Sequence, residues 1–329
     1  MVDLLRAAIV GAGQIGSRHL QSFARLDRPF QLVVIDPDER SLAAAKKRFE
    51  EAEASAANRH PFRRIVYATG FDILDSLAQL DVAIVATHAS VRLQVLKELI
   101  RRLAIRHIIC EKVLFQDLDS YQKAAQWFSE RNIQVWVNCP FRTLNFFRTL
   151  KKDARSSMWE YSVYGSGINL ASNAVHHLDL FTYLTGTPLE RVRSDFLHRR
   201  IQKSKHSGCI EFTGTLLAES AHHRFEMTSF PCPGHPLVIR LMTEDGTWFI
   251  ELLAERAVHL SADGERTVPF SFPPQSERTH LLVKELLDTG TCGLPTFHES
   301  RHVHERLLNA FMDRLESVTG RRPAVCPIT

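Results

Sequence analysis

A glycine pattern close to the start of the chain limits, more than any other feature, what this sequence can fold into. Gly11, Gly13 and Gly16 follow the short apolar segment 7–10, and a helical run, 17–26, comes after them. In such a pattern Gly11 permits a tight turn, Gly13 lets a pyrophosphate approach the backbone, and Gly16 lets the helix lie near the strand. The first N–H groups of the helix attract phosphate oxygens. We therefore predict a dinucleotide site formed by Gly11, Gly13, Gln14, Ile15 and Gly16.

An acid lies where the second half of this pattern requires one. Asp36 ends the apolar segment 31–36, 20 residues after Gly16. A carboxylate at that position accepts hydrogen bonds from an adenosine ribose and repels a 2′-phosphate. The sequence therefore predicts NAD as the cofactor, with NADP disfavoured. The alternative is that Asp36 only caps a helix that starts near Glu39.

Composition is that of an ordinary globular protein of two domains, with 329 residues, of which 44% are hydrophobic and 24% charged. The net charge is only +4, and the basic clusters at 101–106 and 199–205 lack interleaved aromatics, so we expect no nucleic-acid partner. No apolar run is long enough to cross a bilayer and no signal-peptide pattern is present, so we expect no membrane partner. The six cysteines have no zinc-type spacing and are typical of reduced thiols in a cytoplasmic protein.

The first part of the chain alternates strands and helices. The pattern predicts strands at 6–10, 31–36, 64–68, 81–87 and 107–111, and helices at 17–26, 39–54, 70–79 and 90–104. Such alternation indicates a doubly wound parallel sheet, a Rossmann domain over residues 1–122. Ligands of these sheets bind beyond the carboxyl ends of the strands. That rule assigns the following residues to one edge: Gly11, Asp36, Thr87, His88, Glu111 and Lys112.

A different pattern marks the second domain, which we place at residues 123–329. A helix at 117–130 and a strand at 134–138 lead into it, and most segments then alternate with period two. These segments are 158–164, 209–217, 224–230, 237–243 and 247–252, with hairpin signals at Asp245-Gly246 and Asp263-Gly264. Helices are predicted at 173–184, 276–288 and 297–318. We therefore expect an α/β domain with a largely antiparallel, open sheet.

The order of several motifs resembles the glucose–fructose oxidoreductase/inositol dehydrogenase family, known as Gfo/Idh/MocA. The matching pieces are segments 10–19, 81–87 and 109–112, Asn138, and segments 173–180 and 181–186. The resemblance implies a Rossmann domain, then a domain whose open sheet often forms an oligomer interface, with the substrate between the domains. It also implies an NAD-dependent oxidoreductase that moves a hydride between nicotinamide and a secondary alcohol or ketone, of a sugar or sugar-like compound.

Two positions depart from the family pattern. The family's Glu-Lys-Pro motif here reads Glu111-Lys112-Val113, and a proline would have fixed the loop that aims the lysine. The family often has an acid four residues before its active-site histidine, and here Ser172 stands four residues before His176. A ring of aspartate, lysine and histidine therefore does not follow from the motifs.

Lys112 is the first candidate for proton transfer. Oxidation of an alcohol leaves a hydroxyl proton, which a lysine or histidine within hydrogen-bond reach can take or return. Two charged residues at the end of the apolar segment 107–111 have no use in a core. By resemblance, Glu111 contacts the nicotinamide ribose, Lys112 contacts the substrate hydroxyl, and Thr87-His88 lie beside the ribose. The alternative is a Glu111–Lys112 pair that only covers the edge of the sheet.

His176 is the second candidate. His176 and Asp179 are three residues apart on a predicted helix, so they share a face, and an aspartate can orient an imidazole and raise its basicity. By resemblance, His176 is the general acid/base or binds a substrate hydroxyl, whereas the alternative is a histidine that packs between helices. Further substrate-side candidates are Asn138, Arg142, Asn173 and His177, although His177 points about 100° away from His176 on the helix.

Metal binding is not expected. His298, His302 and His304 lie close together, but the segment also contains Glu299 and Arg301 and has no H-E-x-x-H pattern. Such a mixture is typical of a solvated helix.

Two rival functions remain open. One is a non-catalytic NAD-binding sensor or regulatory protein, which the serine at position 172 would suit. The other is a glycosidase that uses NAD transiently. In either case the exposed face of an open sheet predicts a homodimer or homotetramer, because monomers rarely leave an apolar face uncovered.

Overall fold

The computed structural model describes residues 4–56, 62–153 and 158–329, which fall into two compact units. The first unit comprises 1–115, 122–138 and 273–297, and the second comprises 116–121, 139–272 and 298–329, within the described ranges. This division differs from the predicted boundary after residue 122. The segment 134–137 pairs with the sheet of the first unit, and the segment 273–297 returns to pack on that unit.

The first unit is built on a parallel sheet, and the fold-class prediction is confirmed. Its strands are β1 (Leu5–Val10), β2 (Phe30–Ile35), β3 (Arg63–Ala68), β4 (Gln79–Val85), β5 (Ala104–Cys110) and β6 (Gln134–Val137). They are ordered β3-β2-β1-β4-β5-β6. The order reverses direction at β1 and β4, whose carboxyl ends flank the crevice in which such sheets bind ligands.

Helices connect these strands. They are α1 (Gln14–Phe23), α2 (Glu39–Ala54), α3 (Ala89–Arg102) and α4 (Leu118–Glu130). The predicted helix at 70–79 is a short 3₁₀ helix, Phe71–Ser76, because β4 already begins at Gln79, where it pairs with β5. Only six residues are left for the helix.

Strand burial explains why the segments are apolar throughout. Ile9, Val34 and Ile84 are fully buried, as expected for parallel strands covered on both faces. The returning segment adds Leu282, Val283 and Leu286 to the same core. They come from a helix that the sequence predicted at 276–288 and that spans Thr279–Thr289.

The second unit contains a mixed sheet of eight strands, with antiparallel neighbours everywhere except at one pair. With a separate pair of short strands, the unit has ten described strands. In chain order they are β7 (Glu160–Ser166), β8 (Arg191–Arg193), β9 (Gln202–Lys203), β10 (Ile210–Glu211), β11 (Gly214–Ser220), β12 (His223–Phe230), β13 (Val238–Thr243), β14 (Gly246–Glu251), β15 (Arg256–Ser261) and β16 (Gly264–Pro269). The large sheet has the order β16-β15-β14-β13-β7-β12-β11-β8, and β9 pairs with β10 alone. Only β7 and β12 run parallel.

One predicted strand, 209–217, is divided in the structure. Gly214 has φ +96°, and a Cβ there would lie 2.6 Å from the carbonyl oxygen of Phe196. The backbone therefore turns at this glycine. Residues before it pair with β9, and residues after it join the large sheet. By contrast, both hairpin signals are confirmed, since Gly246 and Gly264 start the second strand of each hairpin.

Helices complete the chain. They are α5 (Asn145–Asp153), α6 (Leu170–Thr185), α7 (Thr279–Thr289) and α8 (Phe297–Thr319). Gly186 ends α6 in the left-handed conformation, which is the usual role of glycine at that position. No helix in the described part of the chain is long and apolar enough to cross a membrane. Within the same ranges, no group of three or more histidine, cysteine, aspartate or glutamate side chains could hold a metal ion.

Candidate functional site

The glycine turn between β1 and α1 has the geometry that phosphate binding needs. Gly11 has φ +95°, and a Cβ on it would lie 2.9 Å from the backbone of Ala86. A Cβ on Gly16 would lie 1.8 Å from the carbonyl oxygen of Gly11, so only glycine allows α1 to approach the turn. At Gly13 a Cβ would meet no atom within 4 Å. That open side leaves room for a ligand against the backbone.

The start of α1 offers backbone donors at this turn. Gly13 precedes the helix and provides no side-chain cap, and the amide of Ser17 is bonded to the carbonyl of Gly13. The amides of Gln14, Ile15 and Gly16 lie before that bond in the first turn, which α-helices leave without an internal acceptor. They are donors suited to a pyrophosphate.

Asp36 follows β2 and braces the glycine turn. Its Oδ2 accepts the amide of Ala12 at 2.7 Å, and its Oδ1 accepts the amide of Asp38 at 2.9 Å. The helix cap is Asp38, whose Oδ1 accepts the amide of Arg40. The alternative reading of Asp36 as a cap of α2 is therefore not what the structure shows. Asp36 instead ties its carboxylate to the loop that a dinucleotide would contact.

The loop after β4 brings Thr87 and His88 to the same edge of the sheet. The Thr87 hydroxyl oxygen is buried and has no hydrogen-bond partner among the described residues. His88 caps α3 by accepting the amide of Ser90 at 3.3 Å. Because a buried hydroxyl without a partner is costly, Thr87 indicates a place where a ligand would complete the hydrogen bonding.

Glu111 lies just after β5 in a network of buried polar groups. Its Oε1 accepts from His19 Nε2 at 2.9 Å and from Asn138 Nδ2 at 2.5 Å. Asn138 Nδ2 also donates to Gln275 Oε1 at 3.1 Å, and Gln275 Nε2 donates to the Thr279 hydroxyl at 2.9 Å. Burial alone would raise the pKa of Glu111, but the hydrogen bond and charge of His19, with smaller effects of Asn138 and Lys112, hold that pKa below its usual value. Glu111 is thus a buried anion with its charge retained.

Sequence reasoning missed His19, Gln275 and Thr279. His19 lies on the helix after the glycine pattern, one turn beyond Gly16. This position was the only feature of the sequence that could have indicated a role for His19. Its partners Glu111 and Thr279 lie 92 and 260 residues away, so the network depends on tertiary structure. Arg278 Nη2 joins it by donating to Gln275 Oε1 at 3.0 Å, and burial lowers the pKa of Arg278 to about 10.

Lys112 is half-buried at the end of this strand. The peptide bond between Lys112 and Val113 is cis. Arg92, which is almost fully buried, donates to the carbonyl oxygens of Thr87, Val113 and Leu114. These bonds connect the loop after β4 with the loop that carries Lys112. The sequence predicted a lysine at this edge, and the structure places it there.

Asn138, predicted on the substrate side, directly follows β6, is bonded to Glu111 and is 3% exposed. Its Oδ1 has no hydrogen-bond partner in the described ranges. Thr87 and Asn138 therefore each carry a buried polar atom without a partner at the carboxyl edge of the sheet. We call this edge, with Gly11, Asp36, Thr87, Glu111 and Asn138, the cofactor edge. The open glycine turn, the α1 amides and these two atoms fit a dinucleotide.

In the second unit, α6 carries the adjacent histidines. His176 is half-buried and packs edge-on against Phe141, with ring centroids 6.1 Å apart. His177 is 3% exposed, its Nδ1 lies 2.9 Å from the Tyr161 hydroxyl, and burial lowers its pKa to about 3. A side chain enclosed in this way is part of the core. Its predicted substrate contact remains a prediction that this placement argues against.

Arg142 and Asp179 form a buried ion pair. Nε and Nη2 of Arg142 donate to the two carboxylate oxygens of Asp179 at 3.0 and 2.8 Å, and Nη1 donates to Glu299 at 3.2 Å. Burial alone would lower the pKa of Arg142, but the carboxylates of Asp179 and Glu299 hold it above its ordinary value. Both oxygens of Asp179 are thus on the guanidinium, a geometry that the sequence did not predict. The predicted role of Asp179, to orient the imidazole of His176, stays a prediction.

Asn173, the remaining substrate-side candidate, is half-buried and donates through Nδ2 to the carbonyl oxygen of Ile168 at 2.8 Å. It therefore fastens the loop that leads into α6. The histidines at the C-terminal helix also have local partners: His302 Nε2 lies 2.8 Å from the carbonyl oxygen of Leu189, and His304 Nδ1 lies 2.8 Å from that of Ser300.

The parallel sheet, the glycine turn and Asp36 define the class of the first unit as a dinucleotide-binding Rossmann domain. The sequence model of the Gfo/Idh/MocA oxidoreductase family, NAD-binding Rossmann fold, matches residues 5–139. The predicted resemblance to that family is therefore confirmed over these residues. No curated protein matches the chain by sequence.

Solved structures share the fold over nearly the whole chain. UDP-N-acetylglucosamine 3-dehydrogenase GnnA from Acidithiobacillus ferrooxidans is 14% identical, with a TM-score of 0.66 over 94% of this chain and 97% of that one. An oxidoreductase from Agrobacterium radiobacter in complex with NAD+, L-tartaric acid and magnesium is 14% identical, with a TM-score of 0.68 over 96% and 97%. The transcriptional regulator Gal80p from Kluyveromyces lactis is 14% identical, with a TM-score of 0.72 over 96% and 91%. At such identities the likeness concerns the fold.

Proposed function

We propose that this protein is an NAD-dependent oxidoreductase that transfers a hydride between nicotinamide and a secondary alcohol or ketone of a sugar or sugar derivative. The observation that carries the proposal is the cofactor edge. A buried anion, Glu111, precedes a half-buried lysine, Lys112, beside two polar atoms, of Thr87 and Asn138, that lack partners. This arrangement suits a dinucleotide whose reactive ring lies near an ammonium group.

In this proposal some residues bind the cofactor and others transfer the proton. The α1 amides and the glycine turn bind the pyrophosphate, and Asp36 binds the adenosine ribose. Bound NAD supplies the hydride acceptor. As the hydride leaves the carbinol carbon, the hydroxyl proton passes to Lys112 or His176, and in the reverse direction the same group returns the proton to the alkoxide oxygen. Glu111 holds its charge near the ribose and stays ionised.

The choice of NAD over NADP is part of this proposal. The carboxylate of Asp36 is fixed after β2 by the amides of Ala12 and Asp38, and an acid at this point of a Rossmann domain disfavours a 2′-phosphate. A recess of about 510 Å³ beyond the ends of β2 and β3 is lined by Glu39, Tyr67, Gly70 and Asp72, among others. Two of these are acids, which adds repulsion against a phosphate.

A screen of ligands followed by a spectroscopic assay tests the function. Sugars and nucleotide sugars are screened by thermal shift with NAD present, because a ligand of the native state raises the melting temperature by mass action. Hits are then followed at the absorbance band of reduced nicotinamide. A net change in that band supports the dehydrogenase. Product without a net change supports transient use of NAD, and tight NAD binding with no turnover supports a sensor.

The NAD-binding sensor is the second candidate, and two observations favour it. Ser172 occupies the position where the family often has an acid, and a transcriptional regulator shares the fold. If NAD raises the melting temperature and no sugar does so or turns over, the sensor is the better description.

Assembly and compartment complete the proposal. We propose a homodimer or homotetramer through the outer face of the large sheet, where Leu217, Phe249 and Val258 are half-buried among polar neighbours. Light scattering at micromolar concentration tests this, and a monomer would overturn it. We also propose a reducing, cytoplasmic setting, because none of the six cysteines, all in described ranges, forms a disulfide.

A further inference from the structure

Glu211 is a buried acid that no motif of the sequence singled out. It ends the two-residue strand β10 and is 5% exposed. Its Oε2 accepts the amide of Ala171 at 2.8 Å, and its Oε1 accepts the hydroxyl of Ser172. Both oxygens therefore bind the first turn of α6, the helix that carries His176.

The position of Ser172 relates this carboxylate to His176. Ser172 and His176 are four residues apart on α6, which places them on one face of the helix, with Cβ atoms about 5–6 Å apart. The serine hydroxyl points its proton at Glu211, so the negative charge lies one turn before the imidazole. A charge at this point comes from a residue 39 positions later in the chain, so it cannot be read from the helix sequence.

Other charged and titratable groups also lie on α6 or against it. On the helix, His177 is bonded to Tyr161, and Asp179 is paired with Arg142. From α5, Lys151 lies over the ring of Tyr183, 4.0 Å from its centroid, two turns beyond His176. Replacing Glu211 by glutamine therefore removes one net negative charge from this surrounding.

The same carboxylate also borders open space. Glu211, Asn169, Gln202, Thr213 and His235 are among the residues that line a recess of about 430 Å³ in the second unit. No lysine or arginine is among the described residues that line it. The recess thus has both polar and apolar walls, with the Glu211 acid in one of them. A direct contact of Glu211 with a ligand is therefore the alternative that the experiments must separate from an action through α6.

We propose that Glu211 is a positioning residue that supplies, through Ser172, the carboxylate acting on His176. The proposal rests on the proposed function in so far as His176 transfers the proton. The imidazolium that forms when His176 takes the hydroxyl proton is stabilised by the nearby negative charge, and the imidazole is a stronger base for the same reason.

Three variants of the full chain separate this role from helix capping. Glu211→Gln keeps an oxygen for the Ala171 amide while it removes the charge. Ser172→Ala removes the link but leaves the bond to Ala171. The double variant Ser172→Asp/Glu211→Gln moves the carboxylate onto the helix. Thermal melting of all three shows whether the fold is kept.

The decisive measurement is the NMR titration of His176, assigned by comparison with His176→Asn, because it requires neither substrate nor turnover. The expected result is that the pKa of His176 falls by about one in Glu211→Gln, since an opposite charge nearby favours the charged imidazole. The double variant restores the higher value. An unchanged pKa in a folded Glu211→Gln protein overturns the proposal, whatever the outcome for the proposed function.

Kinetics on a turned-over sugar give the second readout. We expect kcat to fall at least about tenfold in Glu211→Gln with KM little changed, since a general acid/base contributes 10²–10⁴-fold and is only weakened here. The double variant should recover most of the loss. A rise in KM alone would make Glu211 a wall residue of the recess and overturn its action on His176. For a sugar-independent sensor, the titration alone decides.

Discussion

Buried charged side chains have different kinds of partners in two regions of the molecule. These regions are the cofactor edge of the first unit and the surroundings of α6 in the second unit. At the cofactor edge, Glu111 accepts hydrogen bonds from His19 and Asn138, and nearby polar atoms of Thr87 and Asn138 have no partner among the described residues. Around α6, Arg142 and Asp179 neutralise each other and His177 is matched by Tyr161. The first arrangement leaves polar atoms that can bind a ligand. In the second arrangement the polar atoms bind one another and stabilise the fold.

The comparison teaches where function should be sensitive to change. A substitution at the cofactor edge should alter binding or turnover more than stability, because its polar atoms face a ligand position. A substitution in the α6 surroundings should alter stability first, because its charged groups depend on one another. The predictions below test this contrast, from the largest expected effect to the smallest.

Lys112→Met should lower turnover by roughly 10²–10⁴-fold, the usual contribution of a positioned acid/base group. Methionine keeps most of the bulk of the side chain and removes the ammonium. NAD affinity, measured by fluorescence or calorimetric titration, should change little, because the glycine turn and Asp36 hold the nucleotide. His176→Asn should also lower turnover. An equal loss of affinity and turnover in Lys112→Met would instead assign the lysine to the cofactor site.

Asp179→Asn should lower the free energy of unfolding by about 3–5 kcal/mol, because it leaves the guanidinium of Arg142 buried without its main counterion. Denaturant unfolding measures the effect. Glu299→Gln is the matched control. Its side chain is 51% exposed, so it should cost less than about 1 kcal/mol. Similar costs for both variants would show that the buried pair is not what stabilises this region.

His177 should make the second unit sensitive to acid. Burial lowers its pKa to about 3, whereas an unfolded histidine has a pKa near 6.5. Between these values the unfolded chain binds the additional proton. The free energy of unfolding therefore falls as the pH falls from about 6.5, by at most ~1.4 kcal/mol per pH unit from this group.

The variant His177→Gln should show a flatter dependence of unfolding free energy on pH between about 6.5 and 4.5. Glutamine can still accept the Tyr161 hydroxyl. The exposed His222 provides the control, since His222→Gln should leave the slope of the native protein. Equal slopes in the native protein and His177→Gln would contradict the assignment.

Asp36→Asn should narrow the preference for NAD over NADP by about five-fold, or ~1 kcal/mol, the Coulomb energy of two unit charges 4 Å apart in water. Asparagine keeps an oxygen for the Ala12 amide, so the turn is preserved. Asp36→Ser lacks that reach and should weaken both nucleotides as well. Titration of both nucleotides against each variant checks this, and a native protein that binds NADP more tightly would show that Asp36 has been misassigned.

The same contrast explains what the sequence could predict. The cofactor edge was predictable because its parts follow from backbone rules: glycines at a turn, an acid after β2, charged residues after β5. The polar network behind Glu111 was not, since Gln275 and Thr279 come from a segment that returns from far along the chain. His176 was predicted from its helix motif and stays a prediction, whereas the Arg142–Asp179 pair and Glu211 depend on contacts between separate elements. Period and spacing carry no information on such pairs.

The returning segment 273–297 also bears on how the protein is made. The first unit is discontinuous, and its core needs Leu282, Val283 and Leu286 as well as the partners of His19 from that segment. During synthesis at roughly 5–20 residues per second, the Rossmann sheet leaves the ribosome on the order of ten seconds before these residues. We therefore expect an apolar face of the nascent sheet to be open for that time, and we expect chaperones to bind at this stage and truncated forms to aggregate.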